Sequence, residues 1–504
     1  MSVRIEGDAG RVIGPVPRRL FGSFVEHMGR SVYTGLYEPG HATSDERGFR
    51  GDVLELVREL GPTVLRYPGG NFVSAHRWED GVGPDRPVRL DPAWHSVESN
   101  RFGLHEFAAW AEAAGAEVMY AVNLGTRGIQ EAADVLEYCN HAGGTELSDR
   151  RRANGAEEPF GFKLWCLGNE MDGPWQVGHK TADEYGRLAA ETARVLRMID
   201  PDVELVVAGS SNAGMPTFGE WERTVLRHTA GLVDHISLHA YYQELHGDTE
   251  SYLASAAALD TYIATAAGII DELGLANEVG ISVDEWNVWD QRRWNAVDQA
   301  RLAEGGWREH PRIIEDDYTV TDAVVVGSLL SSLLRNVDRV TMANQAQLVN
   351  VIAPIRTEPG GPAWRQTTFH PFRLVASLAR GVSLRLDVEG ERLRTAQYGE
   401  VDLVDVAATL EESGRGAVFL TNRATATPTE IHLRLRGARF AVYGAETLTI
   451  PGGATRHAVN TAAAQPVRPV PLPGAAVTSD PGGTTITVTL PPLSWSVLRV
   501  SPHA

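Results

Sequence analysis

From residue 20 to about residue 345 the chain repeats one pattern. A short apolar run is followed by a stretch with apolar residues at three- and four-residue spacing. The runs predict strands at Leu20–Val25, Thr63–Tyr67, Val118–Leu124, Lys163–Leu167, Leu205–Ala208, His235–His239, Val279–Val283 and Arg339–Ala343. Between them the spacing predicts helices at Gly51–Leu60, Phe102–Ala114, Ile129–Asn140, Thr181–Ile199, Phe218–Thr229, Ser251–Leu273 and Thr319–Arg335. Strict alternation of this kind demands a parallel sheet with helices outside it. Eight units suit a closed (β/α)8 TIM barrel. An open doubly wound sheet would place a Gly-rich phosphate loop after its first strand. Here Glu26-His27-Met28-Gly29 follows instead.

The barrel does not use up the 504 residues. From about residue 375 short β-like segments follow one another, separated by Gly- and Pro-rich turns with no helical pattern between them. That texture predicts an antiparallel, jelly-roll-like β-sandwich. The expected division is 1–18 as an N-terminal strand joining the sandwich, 19–372 as the barrel, and 373–504 as the sandwich. The strand assignment rests on Val3–Ile5 and on the tendency of chain ends to lie close together.

Lys plus Arg total 46 against 65 Asp plus Glu, a net charge of −19. Such a surface offers no footprint for nucleic acid or an anionic membrane. Lys163 and Lys180 are the only lysines, which removes most Schiff-base and P-loop chemistry. Two cysteines, Cys139 and Cys166, make no disulfide framework. The N-terminus lacks a basic patch followed by an apolar run, and the longest apolar stretch, within Ala323–Leu334, is interrupted by Gly327, Ser331 and Ser332. The expectation is a cytoplasmic protein with no membrane partner.

In a barrel of this type chemistry sits at the C-terminal strand ends. Those positions hold Glu26, Arg66 to Asn71, Asn123, Asn169 with Glu170, Ser211 with Asn212, His239 with Tyr241, Glu285, and Gln347. Carboxylates, amides, an imidazole and an aromatic suit a neutral polyol. Glu170 ends the fourth strand and Glu285 the seventh, about opposite in the ring, so both can reach one central pocket. Two carboxylates across a pocket are the minimal apparatus for glycoside hydrolysis, one protonated and one ionised. Most of the 65 acids, by contrast, are expected to be solvated surface charges. No metal and no cofactor is expected. His235 and His239 share a strand face without further ligands at metal spacing, and His105-Glu106 lacks a second histidine because position 109 is Ala. Cys166 reads as buried filler and the Arg150–Arg152 run as a solvated loop.

Several longer stretches carry a resemblance. They are FGSFVEHMGR (21–30), GLYEPG (35–40), LRYPGGNFVS (65–74), WEDGVGP (78–84), VNLGT (122–126), LWCLGNEMDGPWQ (164–176), HISLHAYY (235–242), VDEWNVW (283–289) and MANQAQLVNVIAPI (342–355). On these the chain resembles the retaining α-L-arabinofuranosidases of glycoside hydrolase family 51. The resemblance covers the whole barrel, and the sandwich shares only its position and texture.

The resemblance implies double displacement, with Glu170 as acid/base and Glu285 as nucleophile. It implies substrate contacts at Glu26, Asn71, Asn169, His239, Tyr241 and Gln347, with Asn169 on the sugar 2-hydroxyl. Arg66, next to Glu285, is expected to keep that carboxylate ionised. A retaining pair should stand about 5–5.5 Å apart. The implied partner is an arabinofuranosyl oligosaccharide, and the implied assembly is a homo-oligomer, a hexamer. Two departures from the family pattern, Ala75-His76-Arg77 and Gln243-Glu244, lie on loops near the mouth and bear on substrate preference. Two rival readings stand beside an exo-acting arabinofuranosidase. One is an endo-acting β-glucanase or xylanase on the same barrel, and the other is a carbohydrate-binding protein without catalysis.

Overall fold

A computed structural model of the chain describes residues 1–503. Eight parallel strands close a barrel in the order Gly22–Phe24, Val64–Tyr67, Glu117–Val122, Leu164–Leu167, Glu204–Val207, His235–Tyr242, Gly280–Val288 and Val340–Ala346. The eighth pairs back onto the first, Asn344 opposite Gly22. That seam needs a glycine: a Cβ at Gly22 would stand 1.9 Å from Asn344 Oδ1. Val64, Val73, Met119, Ala121, Leu164, Cys166, Val206 and Met342 pack together as one apolar cluster formed mainly by the strands. The glutamates of the site stand above this cluster, toward the strands' C-terminal ends.

The predicted helices form with shifts of at most two residues at their ends, with one exception. The expected helix Ser251–Leu273 breaks at Ala254 into Thr249–Leu253 and Ser255–Glu272. Asp248 caps the first piece by accepting from Ser251 N. The Arg150–Arg152 run is not a solvated loop. It closes an unpredicted helix, Glu146–Ala153, in which Arg151 is fully buried and donates to the carbonyls of Tyr138, His141, Ala142, Ala156 and Glu157. An arginine can be buried where carbonyls satisfy its five donors.

The C-terminal strands form one ten-stranded sheet around its own apolar core, which includes Val404, Leu420, Leu433, Ile486 and Leu498. The N-terminal strand Ser2–Pro15 lies inside it, antiparallel to Val382–Gly390 and parallel to Thr429–Arg436. The apolar stretch of Ala323–Leu334 belongs to the helix Val320–Arg335, and every residue from Ala323 to Leu334 is buried. A helix apolar all round must be covered on every side. From Ala323 onward the sandwich supplies the cover. Trp495 seats on Gly327, where a Cβ would meet its ring at 2.2 Å, and Arg335 and Ser328 both bond Asp405. Among the described residues no helix is long and apolar enough to cross a membrane.

Candidate active site

The first wall of the site is built by the turn after the second strand. Gly69 and Gly70 follow Pro68 because nothing larger fits. A Cβ at Gly69 would stand 2.8 Å from Glu26 Cγ. One at Gly70 would stand 2.9 Å from Glu285 Oε1 and 3.4 Å from both Asn169 Nδ2 and Glu26 Oε2. Three polar groups from three strands therefore converge on the surface of one glycine.

Glu285 is buried. Arg66 Nη1 donates to its Oε1 at 2.6 Å, and Tyr241 OH donates to its Oε2 at 2.7 Å. Arg66 Nη2 donates to Asn169 Oδ1 at 2.6 Å, so one guanidinium positions both groups. Burial and the adjacent Glu285 push the Tyr241 phenol well above its ordinary range, which keeps it a donor. Glu170 sits nearer the mouth on a turn made by Gly168 at φ +86° and by its own φ of +44°. That left-handed backbone costs a non-glycine residue about 1–3 kcal/mol. Its carboxylate accepts from Trp175 Nε1 at 2.7 Å and faces His239 Nδ1 at 2.8 Å.

One oxygen of Glu170, one of Glu285 and a ring nitrogen of His239 all lie within 4.8 Å of one another. This is the close spacing at which one carboxylate attacks the sugar directly. Inversion requires about 6.5–9.5 Å to admit a water.

Glu26 is 3% exposed. Its Oε1 accepts from Phe72 N and Trp94 Nε1, and its Oε2 from Gln347 Nε2 at 3.0 Å. Burial first, and the nearby Glu285 second, push Glu26 up to about 8 despite two of those donors. Asn71 opens the 3-10 turn Asn71–Ala75 beside this wall and is partly exposed. Asn169 Nδ2 and Gln347 Oε1 are buried without a protein hydrogen bond. Buried polar atoms seldom stay unpaired, and both belong to side chains that line the convergence point, where sugar hydroxyls can satisfy them.

Other strand-end residues are not brought to the pair. Asn123 accepts from Gly125 N and Thr126 N and donates to His76 O, holding a turn. Ser211 bonds Asp172. The departures resolve differently. His76 packs against Phe72 at 4.7 Å between ring centroids, backing the Glu26 wall. Glu244 forks onto Arg456 of a sandwich loop at 2.8 and 2.9 Å. Sequence reasoning passed over Trp94, Trp175 and Asp284. Asp284 is 1% exposed and faces His239 Nε2 at 3.0 Å. Strand alternation assigns it to the face opposite Glu285. A bulge overrides that: Ser282 pairs with Ser237 but Glu285 with His239, three residues against two.

Residues 56–258 match the family described as Alpha-L-arabinofuranosidase 1 domain, and 284–494 the Alpha-L-arabinofuranosidase C-terminal domain. The chain is 52% identical over its full length, and 76% of the relative's, to a Streptomyces lividans protein named intracellular exo-α-(1→5)-L-arabinofuranosidase. It is 52% identical to a Bifidobacterium longum exo-α-(1→6)-L-arabinofuranosidase, over 97% of this chain and 95% of that one. The chain belongs to the family 51 α-L-arabinofuranosidases. The solved structure of a family 51 α-L-arabinofuranosidase from Bifidobacterium longum superposes with a TM-score of 0.91 at 44% identity, covering 99% of both chains. Family membership makes the protein an exo-acting glycoside hydrolase, and neither the endo-acting nor the non-catalytic reading is favoured.

Proposed function

We propose that Glu285 is the nucleophile and Glu170 the acid/base of a retaining hydrolysis of terminal α-L-arabinofuranosyl residues. The observation that carries this reading is the pair of glutamate oxygens within 4.8 Å, one of them clamped by Arg66 and Tyr241. Both clamps donate to Glu285 and hold its carboxylate in place. In the first step Glu285 attacks the anomeric carbon and forms an ester. The glycosidic C–O bond breaks, and Glu170 gives its proton to the departing oxygen. In the second step water attacks the same carbon, Glu170 takes the water proton, and the ester breaks with net retention. Glu26, Asn71, Asn169, His239, Tyr241 and Gln347 line the glycone pocket, and Arg66 positions Glu285 and Asn169.

The relatives named for (1→5) and (1→6) linkages differ in number but share a feature. Both numbers denote an exocyclic primary hydroxyl, on a pentofuranose and on a hexopyranose. We infer a preference for arabinofuranosyl groups on primary hydroxyls over (1→2) and (1→3) linkages. Relatives named intracellular support action inside the cell on short oligosaccharides. A homo-oligomer, a hexamer by resemblance, goes with this reading and is checked by sedimentation.

The test is kinetics of Glu170→Ala and Glu285→Ala on an activated aryl arabinofuranoside with azide. Azide should restore turnover of the first and give the α-azide, because it intercepts the β-linked ester. Any product of the second should be the β-azide. Wild-type rates in either variant, or the reverse stereochemistry, would overturn the assignment.

A further inference from the structure

Asp284 is buried at the end of the seventh strand and is not among the residues the double-displacement scheme requires. Its contacts are all of one kind. Oδ1 lies 3.0 Å from His239 Nε2, Oδ2 accepts from Cys166 Sγ at 3.8 Å, and Arg66 Nε faces Oδ2 at 3.7 Å. Beside a guanidinium and a thiol that both point donors at it, the Asp284 carboxylate offers His239 only an acceptor. It therefore requires a hydrogen on His239 Nε2.

That requirement has a consequence at the other ring nitrogen. His239 Nδ1 lies 2.8 Å from Glu170 Oε1 and 3.6 Å from Glu285 Oε2. With Nε2 already protonated, a neutral His239 presents a lone pair at Nδ1 and can accept the Glu170 O–H. Without Asp284, the two glutamates would favour the other tautomer, with hydrogen on Nδ1. That tautomer donates to Glu170 and holds it as an acceptor with no proton to give.

We propose that Asp284 is a positioning residue that sets the tautomer of His239, so that the His239–Glu170 pair retains the proton the leaving oxygen needs. The inference rests on Glu170 being the acid. The bulge that turns Asp284 inward is the structural device, since regular alternation would hide it behind the strand. The charged and titratable groups facing His239 are Glu285, Asp284 and Glu170, with Asp172 farther off; those facing Asp284 are His239, Arg66 and Cys166, with Tyr185 farther off. Burial works against a charged His239, but Glu285, Asp284 and Glu170 outweigh it and raise its proton affinity well above the ordinary imidazole range. The pair thus holds its proton at neutral pH. After step one Glu285 is an uncharged ester and Glu170 has released its proton. A neutral His239 then leaves Glu170 free to act as base.

The test uses Asp284→Asn and two substrates on one preparation. One is an aryl arabinofuranoside whose leaving group needs no protonation, and the other is an arabinobiose. General acid catalysis is worth about 10²–10⁴-fold. The variant should lose about 10²-fold or more in kcat/KM on the disaccharide and less than about fivefold on the aryl glycoside. Its alkaline limb on the disaccharide should move to lower pH, because removing an anion weakens proton retention by the pair. The ratio of the two substrates does not depend on the fraction folded. If the asparagine variant is insoluble, Asp284→Ser is read the same way. Equal losses on both substrates with an unmoved alkaline limb, or no loss on either, would overturn the proposal. Glu170→Ala run in parallel separates the two readings. If it too fails to discriminate between the substrates, the acid assignment fails. If it discriminates and Asp284→Asn does not, the role of Asp284 alone fails.

Discussion

Replacing Glu26 by Gln sets two opposed effects against each other in one measurement. Glu26 is 3% exposed and lies near Glu285 and Asp91, which favours its neutral form. Phe72 N, Trp94 Nε1 and Gln347 Nε2 donate to its two oxygens, which favours the carboxylate. Burial and repulsion prevail and bring the group from 4.5 up to about 8. The third donor need not resist this. Gln347 Oε1 has no partner, so an amide flip lets it accept a proton from neutral Glu26.

A carboxyl raised on folding binds its proton more tightly in the folded state. Its contribution is complete below the unfolded value near 4.5 and is lost as pH rises through about 8. Each unit is worth about 1.4 kcal/mol, so the wild type should lose on the order of 5 kcal/mol across that window from this group alone. The amide that replaces the carboxyl does not titrate. Glu26→Gln should therefore gain stability relative to the wild type with each unit of pH from 5 to 8, and the gap should level off above. Urea unfolding of both proteins at pH 5, 6, 7, 8 and 9 reads this directly. A difference independent of pH would mean that Glu26 is ionised throughout and that the three donors outweigh burial, which would refute the reasoning.

The remaining expectations concern single contacts. Gly70→Ala brings a methyl to 2.9 Å from Glu285 Oε1, and small misplacements of a reacting group are costly; kcat should fall by about 10²-fold with little change in the unfolding midpoint. Arg66→Lys keeps a charge but cannot reach Glu285 and Asn169 together as a fork does; kcat/KM on an aryl arabinofuranoside should drop by about 10²-fold or more. Glu244→Gln loosens the tie to Arg456 in the sandwich loop. It should lower stability by about 1 kcal/mol, measured by urea unfolding, and leave kcat/KM on the same substrate within about threefold.

The barrel was legible because its signal is redundant. Seven helices and eight strands each carry a weak periodicity, and the βα order admits few alternatives. What escaped were elements whose stability comes from tertiary contacts. The helix Glu146–Ala153 has no apolar stripe and forms around the buried Arg151 and its carbonyl partners. The break at Ala254, where the backbone leaves the helix at φ −93° and ψ 8°, is announced by no change of periodicity. Glu244 looked like a mouth residue by position, yet its partner lies 212 residues away in a loop of the sandwich, a pairing that local pattern cannot reach.

The site was legible to the same degree and for a related reason. Glu170 and Glu285 end apolar strands, so the barrel's geometry alone sends both to the mouth. Asp284 stands one position before Glu285, and alternation sends it away from the pocket. Both rules hold only while the register is regular. On each side of the seventh strand the pairing slips by one residue: Val283 opposes Ala343 and then Trp286 opposes Gln345, as Ser282 opposes Ser237 and then Glu285 opposes His239. One extra residue places two adjacent carboxylates on a single histidine and a single arginine. Such a bulge leaves no mark in hydrophobic pattern, because the residues it rearranges are the polar ones. The one sequence sign it could have left is the run Asp284-Glu285 itself, two adjacent acids closing a buried strand, where regular alternation would leave one of them buried without a partner.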